Sequence, residues 1–185
     1  MPHTMERSHQ FLEEYRAYLN LLARTRLPRW LQRWLDASDV VQQTLMNAQK
    51  HHEKLEDKDP AQVAAYLRQA LQNQVCEEAR KHWREKPNIL LDDLVSSSAQ
   101  MGVLLAADQS SPSAKLVGEE LLMELANALA KLPDNQRTAI ECRYLRVPRC
   151  SLAEIGRELS CTEKAAAGLL CRGLQKLREL LRKSQ

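Results

Sequence analysis

Little in this sequence supports a β-sheet. Only five of its 185 residues are Gly, and the aromatics number three Trp, four Tyr and one Phe. Runs of β-branched residues are nearly absent, which points to helices. No apolar run reaches about 18 residues, so no membrane-spanning helix is expected. The N-terminus, Met-Pro-His-Thr-Met-Glu-Arg-Ser, lacks the apolar stretch of a signal peptide, and a cytoplasmic location is expected. The five cysteines, Cys76, Cys142, Cys150, Cys161 and Cys171, are odd in number and form no C-x-x-C pair. His51 and His52 are adjacent rather than helically spaced. Clustered metal ligands are therefore not visible, and no metal or cofactor is expected. No nucleophile stands beside a base at an interpretable spacing, so no catalytic residue is assigned and an enzyme is not expected.

What the chain does have is an apolar fraction of 44%, enough for helical cores, and an uneven charge. Residues 1–95 hold 14 Lys+Arg and 14 Asp+Glu, whereas residues 137–185 hold 11 and 5. This basic end of the chain contains Ser151–Arg178, which reads as two helices joined by a tight turn. Ser151 followed by Glu154 is a capping-box pattern, and Leu152, Ile155 and Leu159 form an apolar stripe. Ser160 and Cys161 make the turn. Thr162 caps a second helix with Ala166, Leu170, Leu174, Leu177 and Leu181 on one side. This is the outline of a helix-turn-helix, whose second helix enters a DNA major groove by its N-terminal end. An ordinary helical hairpin in a bundle has the same outline.

Upstream, residues 6–26 read as one helix buried through Leu12, Tyr15, Leu19 and Leu22. Leu27, Leu31, Trp34 and Leu35 continue an apolar face after Pro28, among Arg24, Arg26, Arg29 and Arg33. Ser38 is placed to cap a helix with Val41, Leu45, Ala48, His52 and Leu55 inside and a polar face outside. Asp59-Pro60 opens a long helix buried through Val63, Leu67, Ala70, Leu71, Val75 and Ala79. Asn73, Glu77, Arg80 and Arg84 share another of its faces, next to His82 and Trp83; such a face suits nucleic acid or a salt-bridged surface equally. Ser96–Ser98 and Ser110–Ser113 have linker chemistry. Beyond them Leu121, Leu125, Leu129 and Leu132 form a stripe ending at Pro133, and Asp134 is placed to cap a helix burying Ile140, Tyr144 and Val147. The expected fold is all-α: one helical domain over 6–90, a flexible linker over 91–113, and a helix-turn-helix domain over 114–183.

Three segments in this order resemble bacterial sigma factors of the extracytoplasmic-function group, which keep only conserved regions 2 and 4. Ser38–Ala48 is similar to the part of region 2 that contacts core RNA polymerase. Ala65–Arg80 is similar to the part that recognises and opens the −10 promoter element. Leu129–Ile140, with its Leu-Pro-x-x-x-Arg, resembles the start of region 4, and Leu152-Ala-Glu-Ile-Gly its continuation. The sequence departs from the family in two places. Ser160 stands where the turn often has Gly, and Ala167-Gly168-Leu169 replaces a frequent Lys-Ser-Arg run.

The resemblance implies a transcription initiation factor whose partners are core RNA polymerase and promoter DNA, with no membrane. Many of the group are held inactive by an anti-sigma factor; no residue here points to one. Asp39, Gln42, Gln43, Met46 and Asn47 would then face polymerase. Asn73, Arg80, Lys81, Trp83 and Arg84 would face the −10 element. Thr162, Glu163, Lys164, Ala165, Gly168 and Arg172 would face the −35 element. The alternative is a stand-alone helix-turn-helix regulator that does not act through polymerase, which leaves the first 90 residues unexplained.

Overall fold

The structure, a computed structural model, describes residues 10–28, 30–82, 112–146 and 148–183, and of 112–117 only the backbone. Among the described residues every regular element is helical. None of their helices is long and apolar enough to cross a membrane. Contacts divide the chain into two units between Met123 and Glu124.

In the first unit a turn of helix at residues 10–13 precedes α1 (Arg16–Arg26). The single expected helix is thus broken at Glu14–Tyr15, although Leu12, Tyr15, Leu19 and Leu22 are all buried as their spacing requires. A 3-10 turn (Leu31–Arg33) leads to α2 (Ala37–Gln49), the short α3 (Glu53–Glu56) and the long α4 (Pro60–His82). Helix α2 packs on α4, and α1 packs on both. Leu19, Leu31, Val41, Val63 and Leu67 have no exposed surface at the centre of this core. His52 and Ala70, expected inside, are only half-buried.

Helix α2 starts earlier than expected, because its cap is Asp36 and not Ser38. One Asp36 carboxylate oxygen accepts from the Ser38 backbone N–H at 2.7 Å and from its hydroxyl at 2.8 Å. These bonds to the charged form hold the Asp36 carboxyl below its ordinary pKa. Pro60 does open α4, with Asp59 accepting from the Ala61 N–H at 2.9 Å.

Helix α5 (Pro112–Ala130) carries the one long-range buried ion pair of this unit among the described residues. Its Glu119, 6% exposed, accepts from the Tyr18 hydroxyl and lies 2.6 Å from Arg68 Nε. Burial, and then the bond to Glu119, pushes the Tyr18 phenol far above its usual range. Two partners make the buried carboxylate tolerable. Leu121, expected in the core, is 61% exposed.

The second unit adds α6 (Asp134–Ile140), a π turn (Glu141–Leu145), α7 (Leu152–Glu158) and α8 (Glu163–Arg182). Helix α8 packs on α6 and α7 through Ala166, Leu170 and Leu177. It crosses α6 closely at Gly173, where a Cβ would lie 3.0 Å from the Ile140 side chain and 3.2 Å from Gln136. Asp134 is the first helical residue rather than the cap, and its carboxylate pairs with Arg137. Tyr144, expected inside, is 48% exposed. The π turn inserts a residue and shifts the helical phase, so the spacing from Ile140 no longer points inward. Val147 lies outside the described residues.

Candidate functional site

The second unit presents one well-formed surface, the start of α8. The capping box at Ser151 is complete: its hydroxyl accepts from the Glu154 N–H at 3.2 Å, and Glu154 accepts from the Ser151 N–H at 2.8 Å. Thr162 caps α8 by accepting from the Ala165 N–H at 3.2 Å. Between the two helices Ser160 takes φ 51°, the left-handed region that favours glycine. Cys161 N–H then donates to the Gly156 carbonyl at 2.8 Å. A Cβ on Gly156 would sit 2.7 Å from the Cys161 oxygen, so only glycine allows so tight a turn.

The result is an α8 whose first turn stands clear of its own unit. Thr162, Glu163, Lys164, Ala165 and Arg172 are exposed, and Gly168 is half-buried. Among the described residues neither Lys164 nor Arg172 has an ion-pair partner. A Cβ on Gly168 would meet only the Arg172 guanidinium, at 3.3 Å, so no helix–helix approach requires this glycine. That close approach belongs to Gly173, which spacing alone did not distinguish from Gly168.

The first unit presents a cleft of about 370 Å³ between α2 and α4, lined by Asp39, Gln43, Asn47, Gln74, Glu77, Glu78 and Lys81, among others. A ladder of amides orders its walls. Gln43 donates to Asn47 at 3.3 Å, Asn47 to Gln74 at 3.4 Å, and Gln74 to Glu78 at 3.3 Å. Lys81 closes it, 2.8 Å from Glu78 and 3.2 Å from Glu77. The five α2 residues singled out in the sequence therefore part company. Asp39, Gln43 and Asn47 line this cleft, while Gln42 and Met46 line a smaller hollow of about 80 Å³ with Arg16 and Gln49. Met46 is 53% exposed, unusual for a thioether side chain.

At the end of α4 Asn73, Arg80 and Lys81 are exposed, and Asn73 accepts from Gln69 at 3.1 Å. Trp83 and Arg84 lie outside the described residues. A different aromatic stands at this end. Trp34, 37% exposed, meets His82 edge-on with ring centroids 5.2 Å apart. The sequence placed Trp34 on an apolar face, and nothing in its local spacing ties it to a residue 48 positions later.

Residues 14–85 match the family model for sigma-70 region 2, and residues 128–179 match that for sigma-70 region 4. A search of curated proteins finds no match.

Proposed function

The chain belongs to the sigma-70 family, as a small factor of the extracytoplasmic-function type, and from this we propose how its two units divide the work of promoter recognition. The first docks on core RNA polymerase and opens the −10 element. The second reads the −35 element. The observation that carries the reading is the free, capped first turn of α8, set on a turn that only Gly156 permits.

In the −35 complex, the exposed N-terminal turn of α8 enters the major groove. Lys164 and Arg172 contact phosphates, and Thr162, Glu163, Ala165 and Gly168 face bases. With Ala167-Gly168-Leu169 in place of cations, much of the readout falls to shape and apolar contact. Non-specific affinity depends on how many phosphates are neutralised, so the free chain binds duplex DNA weakly.

Polymerase supplies the missing affinity by holding both units over one promoter. Asp39, Gln43 and Asn47 offer a carboxylate and two amides along one side of α2. Gln42 and the exposed Met46 offer a second contact beside it. At the far end of α4, Asn73, Arg80 and Lys81, with Trp83 and Arg84 beyond, face the −10 strand. Trp34 and His82 add an aromatic platform there, which suits an unstacked base beside cations.

The test is promoter-dependent transcription with purified core polymerase and the full chain. Specific initiation that requires the chain is the expected result. Tight promoter binding by the chain alone, with no effect on initiation, favours the stand-alone regulator instead.

A further inference from the structure

One cluster in the second unit belongs to neither surface. Cys142 lies in the π turn after α6, Cys150 directly before the Ser151 cap, and Glu158 at the end of α7. In sequence they share no metal-binding spacing. In the fold their two sulfurs and a Glu158 carboxylate oxygen all lie within 4.8 Å of one another. Cys142 has no exposed surface and Cys150 1%, while Glu158 reaches solvent at the mouth. None of the five cysteines is in a disulfide.

We propose that Cys142, Cys150 and Glu158 bind one thiophilic divalent cation of the zinc class, which ties the end of α6 to both ends of α7. The backbone already holds the two sulfurs together. Cys150 N–H donates to the Cys142 carbonyl at 2.9 Å, and the Arg143 guanidinium donates to the Cys150 carbonyl at 3.0 Å. Zinc bonds of about 2.3 Å to sulfur and about 2.1 Å to oxygen set neighbouring tetrahedral ligands a little under 4 Å apart, a separation this cluster can reach by side-chain adjustment.

The charges also balance. Two thiolates and a carboxylate carry three negative charges, which the divalent cation and Arg146 neutralise. Arg146 Nη1 lies 2.8 and 3.0 Å from the two Glu158 oxygens. Each carboxylate oxygen has a second lone pair, so Glu158 can hold Arg146 and a metal together. Arg146 is thus a positioning residue that aims the carboxylate. The fourth metal position opens on the solvent side, to water.

Binding needs no oxidant. The cation takes both sulfurs as thiolates, and the two thiol protons leave to solvent. A disulfide between the same residues would instead need a two-electron oxidant. The bound cation would fix α7, against which α8 is seated.

The experiment uses the full chain, reduced and metal-free, titrated with Co2+ as a spectroscopic probe and then with Zn2+. One equivalent of Co2+ is expected to give a sulfur-to-metal charge-transfer band with tetrahedral ligand-field bands. Zn2+ should displace it one for one and raise the melting temperature. Glu158→Gln, on an exposed residue, should keep the fold and weaken binding at least about tenfold. Cys142→Ser with Cys150→Ser should lose the band. A variant with Cys76, Cys161 and Cys171 all changed to Ser should retain it, so the result does not depend on how well the buried double variant folds. The proposal is overturned if the wild type gives no charge-transfer band, or if the band survives in the Cys142/Cys150 double variant. It is equally overturned if Glu158→Gln binds as tightly as wild type, or if mild peroxide links Cys142 to Cys150 in a chain that takes up no metal.

Discussion

The two units are built from the same material and expose opposite chemistry. In the first, most of the polar residues that line the cleft are already engaged with one another. Gln43, Asn47, Gln74, Glu78 and Lys81 form a continuous ladder along the cleft, and Lys81 is held by two carboxylates. In the second, Lys164 and Arg172 stand exposed on a helix whose first turn points away from its own core. A cation inside an ion pair must give up that partner before it meets a phosphate; an unpaired one need not. Identical helix-forming rules thus yield one surface whose cation Lys81 is held by two carboxylates and another whose cations Lys164 and Arg172 have no ion-pair partner among the described residues. What differs is which charges the fold has left unanswered.

The largest effect that would sharpen this contrast is functional. Asp39→Ala with Gln43→Ala is expected to abolish promoter-specific transcription by lowering affinity for core polymerase, with DNA binding unchanged. Both residues are exposed, so the stability change should stay within about 0.5 kcal/mol. Paired titrations with core polymerase and with −35 DNA check it. Undiminished polymerase affinity would break the division of labour.

Next comes a stability effect confined to the first unit. Glu119→Ala leaves Arg68 without its buried counter-charge and should cost about 3–5 kcal/mol. Denaturant unfolding measures it, and a loss under about 1 kcal/mol would mean that this ion pair does not hold α5 in place.

In the second unit two glycines should behave oppositely. Gly156→Ala drives a Cβ into the Cys161 carbonyl and should cost about 1–3 kcal/mol, with loss of DNA binding. Gly168→Ala meets only a flexible guanidinium and should stabilise α8 by up to about 1 kcal/mol. If Gly168→Ala nonetheless weakens −35 binding, the glycine serves a close approach to DNA.

Charge removal should then separate the units by salt dependence. Lys164→Ala and Arg172→Ala should each lower the slope of log affinity against log salt by about one, measured on −35 DNA. Lys81→Ala, in the unit proposed to face the −10 strand, should leave that slope unchanged. Equal slopes for all three variants would erase the distinction.

The smallest effect concerns the caps. Hydrogen bonds from Ser38 depress the Asp36 pKa below its ordinary 3.8. Its contribution is therefore complete above about pH 4 and is lost as pH falls through the lower folded value. Asp36→Ala should cost about 0.5–2 kcal/mol at neutral pH and remove that acid sensitivity. Thr162, whose hydroxyl does not titrate, should show no counterpart at the start of α8. Unfolding curves between pH 7 and about pH 3 make the comparison.

The sequence by itself determined the elements and their insides. Leu12, Tyr15, Leu19 and Leu22, Val63 to Ala79, and Ala166, Leu170 and Leu177 are largely buried as their spacing dictates, because helical periodicity is a local property. The capping box at Ser151 and the cap at Thr162 were legible for the same reason, being bonds across three residues. So was the family, carried by short motifs in order. Local spacing also misplaced two features that are themselves local. Asp36 rather than Ser38 caps α2, and a π turn turned Tyr144 outward. Only the tertiary structure decided which of α8's glycines marks a helix crossing, that Trp34 meets His82, and that Cys142, Cys150 and Glu158 converge. Each of these depends on how helices separated in sequence come to cross, and a crossing is fixed by the packing of whole faces rather than by any residue's neighbours in the chain.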